Sequence, residues 1–312
     1  MTIRLPTLIA TSVVRGSRQG ESHGGVFKVD FEKRDVVQLI DWDTGKIDFE
    51  GRGGDRGLRG IAFGGDDILI AASDELFRFD RSFKLKTSNK LHYLKHCHEI
   101  CVFEQMVFLT STGFDSLLAF DLGKKKFVWG FHLQWQYDHW AGHTFNPRSN
   151  MGPRPVNNFH INMVHVDSTG IYLSGLRTNA LLHINGKMEV SKVCSLPSGA
   201  HNARPYREGI LFNDTENDCI RYTSRDGEDI AFKIATYDDS DIEFAGFDET
   251  NIARQGFGRG LCPAGNRLVA GGSSPSTISL YDFEGKQKVE SVNLTMDIRN
   301  AIHGLETWPY ND

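Results

Sequence analysis

The sequence predicts an all-β fold, a six-bladed β-propeller closed by pairing its C-terminal strand with its N-terminal strands. Three observations lead there. Short runs such as DDILIAAS, QMVFLTST, GIYLSG and NRLVAGG, rich in β-branched and aromatic residues, alternate with clusters of Gly, Asp, Asn and Ser, the pattern of strands and turns. No stretch of a dozen residues carries the apolar stripe of a helix. The runs also recur as a larger unit, and self-similarity over tens of residues marks a repeat architecture.

The units begin at Leu58, Cys97, Phe159, Ala200 and Gly258. Each holds an apolar stretch, a turn, a buried strand, a second turn and a third strand that often ends in Phe-Asp. A charged fourth strand follows, as in KKKFVWGFHL and KMEVSKVCSL. Four strands per unit is the content of a propeller blade. The sixth unit is split. AIHGLETWPY at the C-terminus has the opening pattern, and TLIATSVV, GGVFKVDF and DVVQLIDW at the N-terminus supply its other strands. Such a blade leaves no open strand edge at the chain ends. Six units in 312 residues exceed the ~40–45 residues of a minimal blade, so the surplus must sit in insertions. Residues 136–158 and 237–256 are the lid-like insertions this predicts, within a single domain spanning 1–312.

Composition narrows the class. The 21 Phe, 8 Tyr and 5 Trp are too many large apolar side chains for a solvated coil. The net charge of −5 argues against a nucleic-acid partner. No run approaches the ~18 apolar residues of a membrane span. Cys97, Cys101, Cys194, Cys219 and Cys262 show no CxxC pair, which fits reduced thiols in a cytoplasm. The first twenty residues lack the apolar core of a signal peptide. A cytoplasmic protein without nucleic-acid or membrane partners is the expectation.

Aligning the repeats brings six residues to one register at the start of each blade: Arg59, His98, His160, His201, Arg259 and His303. His96 takes the place of His98 if the register moves by two, which keeps the same strand face. Imidazoles from separate strands suit a transition metal, and two guanidiniums suit a carboxylate, sulfate or phosphate. The expected metal ligands are therefore His98, His160, His201 and His303, with Zn, Fe(II) or Mn(II) as the ion. Arg59 and Arg259 are the expected anion clamps. Tyr137 or His139, in the first long insertion, is expected to move a proton, because long insertions in compact folds are often functional. Arg15 is placed near the same mouth. Arg177, Asp214 and Asn217 lie in turns between second and third strands, where they are candidates for substrate contact and also ordinary turn residues.

The phrases HEICVFEQMVFLTSTGFDSLLAFDL, GAHNARPYREGILFNDT and GFGRGLCPAGNRLVAGGSSPSTI resemble an uncharacterised β-propeller family known only as a domain of unknown function. The architecture is more distantly similar to the zinc-dependent lyase propeller of the peptide-amidating enzyme. That resemblance implies an on-axis zinc held by His residues, with an Arg beside it. Only His98, His160, His201, His303 and Arg59 or Arg259 match its pattern, and no Tyr base does. The expectation is a metal-dependent lyase acting on a small anionic or carboxylated substrate. A metal-dependent hydrolase, an Fe(II) oxygenase and a non-catalytic propeller that binds a protein or glycan are the alternatives.

Overall fold

The computed structural model describes residues 4–18, 20–43, 57–246 and 254–310. Its strands, in chain order, are β1 (Thr7–Val14), β2 (Gly25–Asp30), β3 (Asp35–Asp41), β4 (Ile61–Gly64), β5 (Asp67–Ala72), β6 (Glu75–Phe79), β7 (Leu85–Lys90), β8 (Ile100–Phe103), β9 (Met106–Ser111), β10 (Ser116–Asp121), β11 (Lys126–Gln136), β12 (His139–Phe145), β13 (Ile161–Asp167), β14 (Gly170–Gly175), β15 (Ala180–Ile184), β16 (Val190–Ser195), β17 (His201–Tyr206), β18 (Gly209–Asp214), β19 (Cys219–Ser224), β20 (Asp229–Lys233), β21 (Leu261–Ala264), β22 (Leu268–Ser273), β23 (Thr277–Asp282), β24 (Gln287–Asn293) and β25 (Asn300–Thr307). They form six sheets: β25-β1-β2-β3, β4 to β7, β8 to β12, β13 to β16, β17 to β20 and β21 to β24. This is a six-bladed β-propeller. The split blade closes as the repeats predict, with Leu8 opposite Thr307 and Val14 opposite Asn300 in an antiparallel ladder.

The character of each strand follows from its place in the blade. The second strands β5 (DILIAA) and β22 (LVAGGS) are buried at every position, so they read as continuous small or apolar runs rather than alternating ones. The fourth strand β7 (LKTSNK) is largely exposed and reads as polar. The recurrent Phe-Asp at the end of the third strand has a simple cause. Phe79 and Phe120 enter the core at 5% and 0% exposure, while the next residue builds the turn. Asp80 Oδ1 accepts the backbone N–H groups of Ser82 and Lys84, both at 2.9 Å. Asp121 accepts that of Lys124 at 2.8 Å, and Asp30 that of Lys33 at 3.0 Å. Asn185 does the same for Lys187 and Glu189 at 2.9 and 3.1 Å. These side chains replace the acceptors that a tight turn removes from the ladder.

The chain divides into two compact units. One comprises residues 60–212. Its blades meet through β4 with β8, β8 with β13, and β13 with β17. Leu69, Leu109, Leu118 and Phe120 fill the space between its first two blades, and Leu117, Phe131, Leu173 and Leu182 fill the next. The other unit comprises residues 1–59 and 213–312. There β25 packs beside β21 as well as β1, over Leu8, Ala10, Ala270, Leu280 and Ile302.

The insertions differ from the expected loops. Residues 136–158 begin as a hairpin: β11 runs to Gln136, turns at Tyr137–Asp138, and β12 returns along it in register from Gln136↔His139 to Gly130↔Phe145. A lid-like loop was expected over this stretch. Its first half is instead a fifth strand on the blade, because aromatic residues recur across the pair, as in Trp135 opposite Trp140. Of 237–256, residues 239–241 form a 3₁₀ turn, and 247–253 lie outside the described residues.

Two outcomes follow from these cores. Phe120→Ala empties a fully buried site and should cost about 3–5 kcal/mol, read as a lower urea midpoint with an unchanged m-value. His165 on β13 is mostly buried, and desolvation, reinforced by the nearby Arg204 charge, lowers its pKa from 6.5 to about 4. Below pH 6.5 the unfolded chain takes up a proton that the folded chain refuses, so this residue removes stability as the pH falls towards 4. His165→Gln should flatten the stability profile in that window by up to ~1.4 kcal/mol per pH unit.

Candidate functional site

In the unit of residues 60–212, backbone contacts set the His residues at the starts of the inner strands. Thr110 Oγ1 on β9 accepts the N–H groups of His98 and Glu99 at 2.9 and 3.1 Å, fixing both residues just before β8. Gly60 N–H donates to His98 O at 3.0 Å. A Cβ on Gly60 would lie 2.7 Å from Ile100 N, so this close approach of inner strands needs glycine there. His160 has a left-handed φ of 53°. Asp115, buried at 1% exposure, holds it by accepting the N–H groups of Asn158, Phe159 and His160 at 2.6, 3.1 and 3.2 Å. Burial raises the Asp115 pKa against the pull of those three donors. The result is an imidazole pair: the His98 and His160 rings meet edge to face with centroids 5.2 Å apart.

Glu99 and Asn202 extend this group. Asn202 Nδ2 donates to Glu99 Oε2 at 2.9 Å, and the two side chains are 7% and 8% exposed respectively. His201 is buried and its Nδ1 lies 2.7 Å from Gly199 O, a contact that requires the proton on Nδ1. Alignment of the His and Arg positions passed over Glu99, which is one residue further along. The signal was the neighbouring glycine: Gly60 follows Arg59 at the same register, and a Cβ there would meet Glu99 Oε1 at 2.9 Å.

The unit of residues 1–59 and 213–312 holds a cationic group. Arg259 Nη1 lies 3.3 Å from His303 Nε2, and both residues are buried. A guanidinium only donates, so Nε2 accepts and the imidazole is neutral with its proton on Nδ1. Gly260 positions the two strands, with φ of 74° and space for a Cβ only 3.0 Å from His303 O. The guanidinium carbons of Arg15, Arg254 and Arg259 stand 5.6, 5.4 and 5.0 Å from the centroid of the Phe257 ring, within cation–π range. Arg254 also bonds Asp218 Oδ1 at 2.6 Å. Arg15 is set by its N–H, which donates to Arg299 O at 3.0 Å. The backbone of Arg59 joins the same group through Thr11, whose hydroxyl bonds Arg59 O and accepts Gly304 N–H at 2.8 Å. Phe257 and Arg254 escaped the sequence reading. The spacing Arg254-x-x-Phe257-x-Arg259 carries them, but a cation around a ring has no periodic signature.

The remaining candidates fall elsewhere. His96 has a left-handed φ of 54° and lies beside Gly113. His98, not His96, meets His160. Asp214 accepts from Asn217 Nδ2 at 2.9 Å and from Arg221 Nη1 at 3.1 Å, so these side chains lock the β18–β19 turn. Tyr137 is at the hairpin tip and 92% exposed. His139 Nδ1 bonds Tyr137 O at 3.1 Å and lines a cleft with Arg177. The Arg177 guanidinium bonds the carbonyls of Asn157 and Asn158, the latter at 2.7 Å. Among the described residues no three His, Cys, Asp or Glu side chains are grouped to hold a metal ion. The His98–His160 pair offers two imidazole donors and no more.

No family model matches the chain, and neither does any curated protein. Solved structures do share its fold. A protein of unknown function from Bacteroides caccae has a TM-score of 0.56 at 12% identity, covering 96% of this chain and 98% of that one. A catalytically inactive virginiamycin B lyase from Staphylococcus aureus with quinupristin has a TM-score of 0.47 at 11% identity, covering 80% and 72% of the two chains. A streptogramin B lyase has a TM-score of 0.43 at 13% identity, covering 73% and 69%. At these identities the likeness is one of fold. Among the described residues no helix is long and apolar enough to cross a membrane.

The Asp115 clamp makes a specific demand. Asp115→Ala strips the acceptor from three N–H groups, and should destabilise the protein by about 2–4 kcal/mol. Amide exchange at Asn158, Phe159 and His160 should speed up more than elsewhere in the same blade.

Proposed function

We propose that the protein is an enzyme of the lyase type, acting on a small carboxylated substrate bound by Arg15, Arg254 and Arg259, with His303 as the base. The observation that carries this reading is the convergence of three guanidiniums on the Phe257 ring beside a buried neutral imidazole. Three like charges so close repel one another. Phe257 and Asp218 offset part of that repulsion, and an anion would offset more. Arg forks recognise carboxylates bidentately, and a carboxylate held this way acidifies its own α-carbon.

The chemistry then needs a base. With the substrate bound, Arg259 turns its N–H groups to the carboxylate and releases His303 Nε2. The imidazole takes the α-proton, the C–H electron pair forms the new C=C bond, and the β-carbon–oxygen bond breaks. The same proton passes from His303 to the departing oxygen, so the products are an unsaturated acid and an alcohol and the base is restored. His98 and His160 are proposed as two donors for a divalent ion such as Zn, Fe(II) or Mn(II). No step is assigned to such an ion, because the described residues group no third donor with them.

The test has two stages. A panel of malate, tartrate, glucuronate, galacturonate and phosphate is screened by thermal shift and calorimetry. At least one carboxylate should bind the native protein, and Arg259→Gln should weaken it about tenfold or more. Binding that is absent, or unchanged in Arg259→Gln, overturns the anion site. Uronides bearing a β-leaving group should then give ultraviolet absorbance from a new conjugated alkene. His303→Gln should abolish this signal and keep the carboxylate affinity. Elemental analysis after metal-supplemented expression reads the ion separately, with the His98→Ala and His160→Ala double variant as its control.

A further inference from the structure

A cleft of about 620 Å³ opens where the β11–β12 hairpin faces β15 and β16, wholly within residues 60–212. Its volume lies in the range of small-ligand sites, and nothing in the proposed lyase chemistry uses it. One wall is an aromatic ladder. Trp135 and Trp140 meet edge to face at 5.0 Å, and Trp140 and Phe159 do the same at 5.0 Å. Trp135 remains 51% exposed, although it sits on a strand whose solvent face could be polar. The hairpin tip is unusual too. Tyr137 and Asp138 both have left-handed φ, 47° and 61°, where Asn-Gly would be the unstrained choice. The rest of the lining is mixed: Arg177, Asn179 and Lys192 with Ala180 and Val190, and Asp138 and His139 from the hairpin.

The wall beneath the ladder is held rigidly. Phe159 N–H bonds Asp115 at 3.1 Å, and the Arg177 fork grips the carbonyls of Asn157 and Asn158 just before it. An aromatic platform on a backbone held in this way is preformed for binding. The charges decide its ligand. Lys192 and Asp138 stand on the same cleft with the Asn179 amide, while the Arg177 guanidinium, which also lines it, is engaged by the carbonyls of Asn157 and Asn158. Donors and acceptors are thus interleaved, which suits hydroxyl groups that both donate and accept. The Asp138 carboxylate opposes a phosphate or aromatic acid at this cleft.

We infer that this cleft binds a carbohydrate, one or more pyranose rings whose C–H faces pack on Trp135 and whose hydroxyls bond Asp138, Asn179 and Lys192. The site is independent of the Arg259 group, so the two fail separately.

The experiment is a broad glycan array with the full chain, covering neutral and acidic oligosaccharides of plant, bacterial and animal type. Hits are followed by calorimetry and tryptophan fluorescence, with adenosine monophosphate as the aromatic anion control. At least one oligosaccharide should bind and shift the tryptophan emission. Trp135→Ala, at an exposed position, should keep the native melting temperature and weaken binding about tenfold or more. Lys192→Ala should weaken it less, and Arg259→Gln should leave it unchanged. No bound glycan on the array, binding that survives Trp135→Ala, or stronger binding of adenosine monophosphate overturns the inference.

Discussion

The ladder between β1 and β25 is the constraint on which the rest depends. It joins residues nearly three hundred positions apart, and both inner and outer strands of the closing blade follow from it. Without it, β25 would present an unpaired edge and β1 would lose its inner neighbour. The same closure sets the cationic group. Thr11 on β1 ties Arg59 O to Gly304 N–H, one residue past His303. His303 therefore stands where it does because a hydroxyl on the first strand holds the last.

Within each unit, short polar side chains do the positioning. Thr110 gathers the N–H groups of His98 and Glu99, and Asp115 gathers three from the segment ending at His160. These are buried hydrogen bonds, and burial makes their loss expensive. Left-handed backbone at His160 and Asn202 is the local cost. It is tolerated because the surrounding bonds overdetermine those residues. The imidazole pair and the Glu99–Asn202 contact both rest on such turns.

Aligned repeats single out one residue per blade and carry no record of which neighbours pack beside it. Arg259 with His303 and His98 with His160 do come together within their units. Glu99 lay one residue beyond and was reached only through the space that Gly60 leaves. Tyr137 and His139 were read as lid residues from insertion length, whereas cross-strand aromatic pairing turned that insertion into a strand. Asp214 and Asn217 had the composition of turn residues, and the turn is where their bonds are.

By itself the sequence determined the strands, their grouping into six blades and the closure of the split one, because period and turn chemistry are local properties that repeat along the chain. Tertiary structure alone decided which side chains meet there: the three guanidiniums on Phe257, the carboxylate of Glu99 against Asn202, and the tryptophan wall facing Lys192. The reason is physical. Those contacts join positions with no fixed spacing, and they depend on rotamers and on gaps left by glycines, which no linear pattern records.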